Sequence, residues 1–231
     1  MEEPAALKVL DFRVNSGTTH LLCGPSNSGK TVRVANILRN KNSYIKNGEN
    51  IKNIVFCYAA WQKIYSDLDN EGIVTKWVNM LPNNEQFKEL VSGHKDIGGS
   101  VVVFDDFLSE VNKDMVEIVC VTSRHYNTTT FLLFQNLFPG NPLARQISLN
   151  VKYIYVHKNP RENTQMSFLA RQINPNNYKW IVAAYQEATK KPYGCLVIDM
   201  TQETPNELRF RSNVLPNEFP MIIWMNSNDT I

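Results

Sequence analysis

An eight-residue segment near the beginning of the chain constrains the fold more than any other feature of the sequence. Residues 24–31 read Gly-Pro-Ser-Asn-Ser-Gly-Lys-Thr and match the pattern G-x-x-x-x-G-K-[ST]. Glycines in this pattern let backbone amides curl around a phosphate, and the helix that follows adds partial positive charge. Lys30 reaches the β- and γ-phosphates, and Thr31 offers its hydroxyl to Mg²⁺. The pattern predicts a site for a nucleoside triphosphate formed by Gly24, Pro25, Ser26, Asn27, Ser28, Gly29, Lys30, Thr31 and Val32.

The residues on either side of this segment favour the same interpretation. Before it, residues 18–23 form a short apolar and β-branched run. After it, Val34, Ile37 and Leu38 recur at helical spacing. The chain therefore predicts a strand, a loop and a helix in succession, which is the context that a phosphate-binding loop requires.

Apolar runs and helical patterns alternate through the rest of the chain. Unbroken apolar runs of strand length, such as residues 53–58 and 100–104, are typical of buried parallel strands. We predict an α/β fold of the P-loop NTPase class, with a mainly parallel sheet covered by helices on both faces, in one domain over residues 1–231. The other predicted strands are residues 7–14, 74–80, 129–134, 152–156 and 194–200, and the other predicted helices are residues 83–91, 113–126, 162–173 and 176–187.

Composition narrows the classes of protein that this chain can belong to. A net charge of +2 does not by itself indicate a polyanionic partner. The four cysteines are far apart in apolar stretches, and the four histidines lack metal-ligand spacing, so we expect reduced thiols and no structural zinc site. The sequence shows no signal-peptide pattern and no apolar run of membrane-spanning length, which predicts a soluble intracellular protein without membrane association.

One stretch departs from this balanced charge. Residues 141–180 carry six basic side chains and one acidic side chain among five aromatic ones. This mixture suits a phosphate backbone, and Lys152, Lys158 and Lys179 are the candidate DNA contacts. A solvated surface is the commoner origin of such a local bias, so both interpretations stay open.

A pair of carboxylates follows a predicted buried strand. The four apolar residues 101–104 end in Asp105 and Asp106. α/β folds bind ligands at the carboxyl edge of their strands. We predict that Asp105 holds Mg²⁺, directly or through water, and that Asp106 polarises the water that attacks the γ-phosphate. A helix-capping turn is the other common origin of such a pair. The phosphate-binding loop upstream favours catalysis.

A polar amide ends another apolar strand. Gln135 follows the run Phe131–Phe134. An amide at the tip of a strand beside the metal-bearing strand can touch both the γ-phosphate and the attacking water, and can report hydrolysis to the rest of the fold. An ordinary strand-terminating amide is the equally common alternative.

Taken together, these motifs resemble the HerA/FtsK superfamily of P-loop ATPases. Within it they are similar to the genome-packaging ATPases of poxvirus-like large DNA viruses, Polinton/Maverick elements and adintoviruses. The likeness extends over residues 17 to about 175, and the block with an arginine eleven residues before Gln135 is its most specific part. The stretches that carry it are residues 24–31, 103–106, 123–138, 148–161 and 169–173.

The resemblance implies a homo-oligomeric ring, a hexamer or pentamer, that hydrolyses ATP at subunit interfaces. It also implies that the ring drives double-stranded DNA through a central pore into a capsid, with capsid or portal proteins as partners. Such a protein works in the nucleus or cytoplasm of a host cell, or in association with the virion. Many members carry Asp-Glu where this chain has Asp105 and Asp106, so the predicted base is one methylene shorter here. No additional DNA-recognition or membrane domain is evident in the sequence. We therefore expect a motor core alone, which depends on partners for targeting to a particular genome.

An ATPase site at a subunit interface needs a cation from the neighbouring subunit, because charge develops on the phosphoryl oxygens in the transition state. Arg124 matches the position of the family's arginine and is the first candidate. Arg145, in a loop after the strand that ends in Gln135, and Arg161, in an Asn-Pro-Arg turn, are the alternatives. A surface arginine without a catalytic contact is the ordinary interpretation of each.

Two other functions are compatible with a phosphate-binding loop. A small-molecule or nucleotide kinase has a similar length, but the sequence shows no arginine-rich lid and Gln135 has no evident role in a kinase. A nucleotide-gated assembly protein would bind ATP without turning it over, and the acidic pair argues against it.

Overall fold

The computed structural model describes residues 11–137, 140–161, 164–215, 218 and 220–223. Strands and helices alternate through most of this part of the chain. The strands are β1 (Thr19–Cys23), β2 (Asn53–Tyr58), β3 (Lys76–Val78), β4 (Ser100–Asp105), β5 (Thr128–Phe134), β6 (Tyr153–His157), β7 (Cys195–Asp199), β8 (Phe210–Ser212) and β9 (Met221–Ile222). The helices are α1 (Lys30–Arg39), α2 (Lys41–Tyr44), α3 (Lys63–Asn70), α4 (Asn84–Val91), α5 (Lys113–Glu117), α6 (Ser123–His125), α7 (Pro142–Asn150), α8 (Thr164–Ile173) and α9 (Tyr178–Ala188).

All of these strands belong to one sheet, in the order β3-β2-β4-β5-β1-β6-β7-β8-β9. Neighbouring strands from β3 to β6 pair in parallel, and those from β6 to β9 pair antiparallel. The predicted mainly parallel α/β sheet is therefore confirmed. The strand predicted over residues 194–200 corresponds to β7. The two strands beyond it, β8 and β9, were not predicted, because they are only three and two residues long and show no usable alternation.

The register of the central strands places their carboxyl ends side by side. Cys23 at the end of β1 pairs with Phe134 at the end of β5, and Asp105 at the end of β4 pairs with Leu133 of β5. Residues that follow these three strands therefore meet at one edge of the sheet. Because β5 lies between β1 and β4, Gln135, which follows β5, lies between the phosphate-binding segment and the acidic pair.

Helices cover both faces of the sheet. Leu21 and Cys23 of β1 pack in a core with side chains of α4, α5, α7, α8 and α9, whereas Leu22 packs in a second core with α1, α2 and α3. Successive residues of a strand point to opposite faces, so a strand covered on both sides has to be apolar throughout. This requirement explains the unbroken apolar runs in the sequence.

Most predicted elements are present, with shifted ends. The predicted strand at 74–80 is only β3, and the predicted helix at 113–126 contains a five-residue π-helix, Ile118–Thr122, between α5 and α6. The helix predicted over residues 83–91 begins at Asn84, because Asn83 and Gln86 form a reciprocal capping box. Three helices, α2, α3 and α7, were not predicted. The helix α2 has only four residues, and α3 and α7 each have only two buried apolar side chains to reveal their periodicity.

The strand predicted over residues 7–14 is wrong in the part that the structure describes. Residues 7–10 lie outside the described residues. Residues 11–13 form no strand, and Val14 makes only an isolated bridge to Ile45. The apolar pattern at this point reflects the burial of Val14 against Tyr44 and Ile45, which does not require a strand.

Candidate functional site

The phosphate-binding segment forms a tight loop between β1 and α1. A Cβ atom at Gly24 would lie 2.7 Å from the Cβ of His157 and 2.7 Å from the Oγ of Ser28, so only glycine fits there. Gly29 has a φ of 93°, a left-handed conformation that strongly favours glycine. Both glycines of the sequence pattern are thus required by the geometry of the loop.

The side chain of Lys30 is held within the loop. Its Nζ atom donates hydrogen bonds to the backbone oxygens of Gly24 at 2.7 Å and Pro25 at 3.0 Å. Burial lowers the pKa of Lys30, while the nearby carboxylate of Asp105 acts in the opposite direction. A partly desolvated ammonium interacts strongly with an anion, because little water screens it.

Asp105 is buried at the end of β4 and accepts two hydrogen bonds on one oxygen. Thr31 donates its Oγ1–H to Asp105 Oδ2 at 2.9 Å, and Tyr65 donates its hydroxyl to the same atom at 2.7 Å. Burial raises the pKa of Asp105, although both hydrogen bonds and the charge of Lys30 oppose that shift. A hydroxyl and a carboxylate so close together are the hard oxygen ligands that Mg²⁺ prefers, so Thr31 and Asp105 fit this ion.

Asp106 stands beside Gln135 at the mouth of the site. The Nε2 of Gln135 donates to Asp106 Oδ1 at 3.1 Å. Asp106 is exposed and has a φ of 69°, a left-handed conformation that aspartate tolerates better than most residues. An exposed carboxylate held by an amide beside the phosphate-binding loop can take a proton from a water molecule.

One cleft of about 430 Å³ is lined by Lys30, Thr31, Asp105, Asp106 and Gln135 together. Its walls are residues 26–32 of the loop and α1, the acidic pair, Gln135, and residues 62–64 at the start of α3. The contribution of α3 to the cleft was not predicted. This helix brings the cation Lys63 into the cleft and positions the Tyr65 hydroxyl to donate to Asp105. No local motif in the sequence marks these residues, because their role depends on packing between α1 and α3.

A buried histidine also supports the loop from the neighbouring strand. His157, at the end of β6, lies 2.9 Å from the backbone oxygen of Ser28 through Nδ1. A carbonyl oxygen only accepts, so Nδ1 carries the proton. Burial, followed by the charge of Arg33, lowers the pKa of His157 to about 3. The neutral ring therefore ties the loop to the strand beside β1, a role the sequence did not indicate.

The three candidate arginines lie outside the cleft. Arg124 is exposed on α6 and donates from Nη2 to the backbone oxygen of Cys120 at 3.2 Å. The helix α6 precedes β5, whose seven residues span roughly 20 Å, so Arg124 lies at the opposite edge of the sheet from Gln135. Arg145 is exposed on α7, and Arg161 is exposed just after β6, at the same edge as the cleft.

The three candidate lysines are not grouped together. Lys152 immediately precedes β6 and Lys158 immediately follows it, so the length of the strand separates them. Lys158 lies near residue 190, whose backbone oxygen it contacts at 3.3 Å through Nζ. Lys179 is exposed on α9. Nucleic acid that contacted all three would have to extend from one edge of the sheet to the other.

Comparison with known proteins identifies the fold. No protein-family model and no curated protein matches this chain. The fold resembles B204, the DNA-packaging ATPase from Sulfolobus Turreted Icosahedral Virus, with a TM-score of 0.55 and 15% identity over 83% of this chain and 96% of that one. It also resembles the genome packaging NTPase B204 from Sulfolobus turreted icosahedral virus 2 in complex with ATP-gammaS, with a TM-score of 0.52 and 17% identity over 81% and 94% of the two chains. At this identity the likeness establishes the P-loop NTPase fold.

Proposed function

We propose that this chain hydrolyses ATP with Mg²⁺ and couples hydrolysis to the movement of double-stranded DNA. The observation that carries the proposal is the meeting of Lys30, Thr31, Asp105, Asp106 and Gln135 in one cleft. These residues come from three separate segments of the sequence, and each has the chemistry that one part of phosphoryl transfer to water requires.

Each side chain has a distinct role in the proposed reaction. The loop amides and Lys30 hold the phosphates and offset the charge that develops on them. Thr31 and Asp105 would hold Mg²⁺, which would neutralise further phosphate charge when bound. Asp106 takes a proton from the attacking water, and Gln135 orients Asp106 through the hydrogen bond between their side chains. Tyr65 and Thr31 keep Asp105 in place by donating to its Oδ2 atom.

Coupling to DNA rests on two kinds of support. The motifs resemble the packaging branch of the HerA/FtsK superfamily, and the fold resembles two proteins described as genome-packaging enzymes. We infer from these likenesses that the chain forms a ring, a hexamer or pentamer, packages a viral or virus-like genome, and docks on capsid or portal proteins. No helix in the described ranges is long and apolar enough to cross a membrane.

The test is the rate of phosphate release from ATP with Mg²⁺, measured without nucleic acid, with double-stranded DNA and with single-stranded DNA. We expect turnover that rises with double-stranded DNA and is absent in Lys30→Ala. Lys95→Ala is the matched control, because Lys95 is an exposed lysine outside the cleft, and we expect it to retain turnover. Phosphate transferred to an acceptor other than water would indicate a kinase. ATP binding without turnover under every condition would indicate a nucleotide-gated assembly protein.

A further inference from the structure

The segment between β2 and α3 adds a second lysine to the cleft. Residues 62–64 line it together with the phosphate-binding loop, the acidic pair and Gln135. Among the described residues that line the cleft, Lys30 and Lys63 are the cations, and the acidic pair supplies the anions. Lys30 has a role in the proposed function, whereas Lys63 has none.

The order of the strands determines where Lys63 stands. At the carboxyl ends of the parallel strands, the phosphate-binding loop follows β1, Gln135 follows β5, and the acidic pair lies at the end of β4. The strand β2 pairs with β4 on the side away from β5, and residues 62–64 follow β2. Lys63 therefore borders the acidic pair on the side away from the loop, so Lys30 and Lys63 approach the reacting end of the cleft from opposite sides.

Contacts on both sides of Lys63 hold this segment in place. The indole Nε1 of Trp61 donates to Ser66 Oγ at 3.0 Å, and the Trp61 and Tyr65 rings meet edge-on with their centroids 5.6 Å apart. Tyr65 in turn donates its hydroxyl to Asp105 Oδ2 at 2.7 Å. The backbone of Lys63 is thus tied to the carboxylate predicted to hold Mg²⁺ by a residue two positions along the chain.

The far end of α3 is fixed as well. Arg39, the last residue of α1, donates to both carboxylate oxygens of Glu71, just after α3, at 2.6 and 2.7 Å. The helix α3 is therefore attached to Asp105 near one end and to α1 at the other. A charged group placed before the reaction needs little reorganisation during it, so a lysine on this helix can stabilise a transition state effectively.

The ammonium of Lys63 is not engaged elsewhere in the part of the chain that the structure describes. Lys63 is exposed, and the ion pairs formed within this part involve other residues. Asp106, the exposed carboxylate of the cleft, accepts from Gln135. Lys30 donates to two backbone oxygens of the loop. Of the two cations, Lys63 is thus the one that can bind a ligand without first giving up these hydrogen bonds.

The reacting end of the cleft requires positive charge on the side where Lys63 lies. A terminal phosphate at this end stands beside Asp106, and negative charge on its oxygens has to be stabilised during transfer. Like charges at short distance repel each other. A cation beyond the acidic pair offsets this repulsion, whereas Lys30 acts from the side of the loop.

We propose that Lys63 is a catalytic residue whose ammonium contacts the γ-phosphate oxygens within its own chain. This inference rests on the proposed function, because it requires a γ-phosphate at the reacting end of the cleft. It adds a cation in cis to whichever arginine a neighbouring subunit supplies. Loss of Lys63 should act on ligands that carry a γ-phosphate and should spare those that end at the β-phosphate.

The test compares two nucleotides that differ by one phosphoryl group. Binding of ADP and of the non-hydrolysable analogue AMPPCP, each with Mg²⁺, is measured by calorimetry, and kcat/KM is measured with ATP. We expect Lys63→Gln to lower kcat/KM by about 10- to 150-fold, the usual contribution of one hydrogen bond to a charged group. AMPPCP binding should weaken while ADP binding is unchanged. Lys63→Arg keeps the charge and should retain most of the parental activity.

A matched variant and a stability measurement exclude an indirect effect. Lys76→Gln is the control, because Lys76 is also an exposed lysine and lies on β3, outside the cleft. We expect it to keep the parental rates and affinities. The melting temperature of Lys63→Gln should equal that of the parent protein, since the substitution breaks no ion pair. A lower melting temperature with an equal loss of affinity for ADP and AMPPCP would show a structural role and overturn the proposal.

The outcomes distinguish this inference from the proposed function. Parental kcat/KM and parental AMPPCP affinity in Lys63→Gln overturn the catalytic role of Lys63 and leave the proposed function intact. A selective loss of AMPPCP binding, in a protein that does not hydrolyse ATP, supports the γ-phosphate contact and overturns the proposed ATPase. If the parent protein binds neither nucleotide, the nucleotide site itself is refuted, and the inference about Lys63 fails with it.

Discussion

Asp106 combines an exposed carboxylate with a left-handed backbone. Such conformations cost a non-glycine residue about 1 to 2 kcal/mol, and they persist where the surroundings hold them in place. Here the hydrogen bond from Gln135 and the rigid end of β4 hold the carboxylate beside the cleft. At the residue scale, the site is therefore made by few side chains in closely specified positions.

The first prediction concerns Asp106. Asn has the same shape and also tolerates the left-handed conformation, so Asp106→Asn removes the proposed base without moving the backbone. We expect ATP affinity to be retained while turnover falls by about 10² to 10⁴, the usual contribution of a positioned acid or base. Lys30→Ala should instead abolish or severely weaken ATP binding. Equilibrium binding and steady-state rates measure both effects, and parental turnover in Asp106→Asn would show that Asp106 is not the base.

The second prediction concerns two buried histidines. Burial lowers the pKa of His20 and of His157 from 6.5 to about 3. In the unfolded chain both residues gain protons below about pH 6.5, whereas in the folded protein they stay neutral. Their contribution to stability is therefore present above pH 6.5 and is lost as the pH falls toward 3. Each histidine should lower the free energy of unfolding by at most about 1.4 kcal/mol per pH unit in that range.

Urea unfolding between pH 7.5 and pH 4.5 measures this slope. His157→Asn keeps a donor for the oxygen of Ser28 and removes the titrating ring, so we expect the slope to fall by about one proton. His125→Asn is the control, because His125 is exposed on α6. An equal slope in the parent protein and in His157→Asn would contradict the assignment.

At the scale of elements, the end of a strand at which a side chain lies determines which other side chains it can contact. The parallel register brings the ends of β1, β4 and β5 to one edge, which collects the loop, the acidic pair and Gln135. The same rule separates Lys152 from Lys158, because they lie at opposite ends of β6. Elements thus bring together residues that are far apart in sequence and separate residues that are close.

The third prediction concerns DNA and these lysines. A surface that follows phosphates binds without sequence preference, and its log affinity falls linearly with log salt concentration. Each lost phosphate contact should reduce the steepness of that line by about 0.9. We therefore expect the combined Lys152→Gln, Lys158→Gln and Lys179→Gln variant to show a shallower salt dependence and less stimulation of ATPase turnover by DNA.

Single variants show whether both ends of β6 contribute. Lys95→Gln is the control, because Lys95 is exposed and lies outside the basic stretch. An unaltered salt dependence together with unaltered stimulation in the triple variant would mean that the basic stretch is only a solvated surface.

At the scale of the whole molecule, the cleft lined by Lys30, Asp106 and Gln135 opens at the carboxyl end of the parallel strands, and Arg124 lies at their amino end. An arginine in that position does not reach the cleft of its own chain. If Arg124 acts in catalysis, it acts on a neighbouring subunit, which fits the proposed ring. Arg145 and Arg161 remain alternatives because both are exposed.

The fourth prediction follows from this division between subunits. An Arg124→Ala subunit should bind ATP through its own loop but fail to complete its neighbour's site, whereas a Lys30→Ala subunit has the opposite defect. Mixing the two inactive proteins should regenerate some active interfaces, with ATPase activity above either parent and dependent on total protein concentration. Arg124→Ala alone should lower kcat with little change in nucleotide affinity.

Native mass spectrometry of the mixture establishes whether the subunits exchange. No rescue at any mixing ratio, in assemblies shown to exchange, would exclude Arg124 as a residue supplied in trans. Arg145→Ala and Arg161→Ala would then be tested in the same mixture with Lys30→Ala.

Local sequence determined the phosphate-binding loop, the ends of β4 and β5 and the alternation of strands and helices. These features are encoded by contiguous motifs and by the apolar runs that a strand covered on both faces requires. The sequence also indicated that Asp105, Asp106 and Gln135 follow strands, and therefore that they can meet at one edge. Their chemical roles stay predictions.

Tertiary structure alone decided the strand order, the contact of Tyr65 with Asp105, the support of the loop by His157 and the position of Arg124 away from its own site. These depend on contacts between residues that are distant in the chain, such as the 40 positions between Tyr65 and Asp105. Local periodicity carries no information about which distant elements become neighbours.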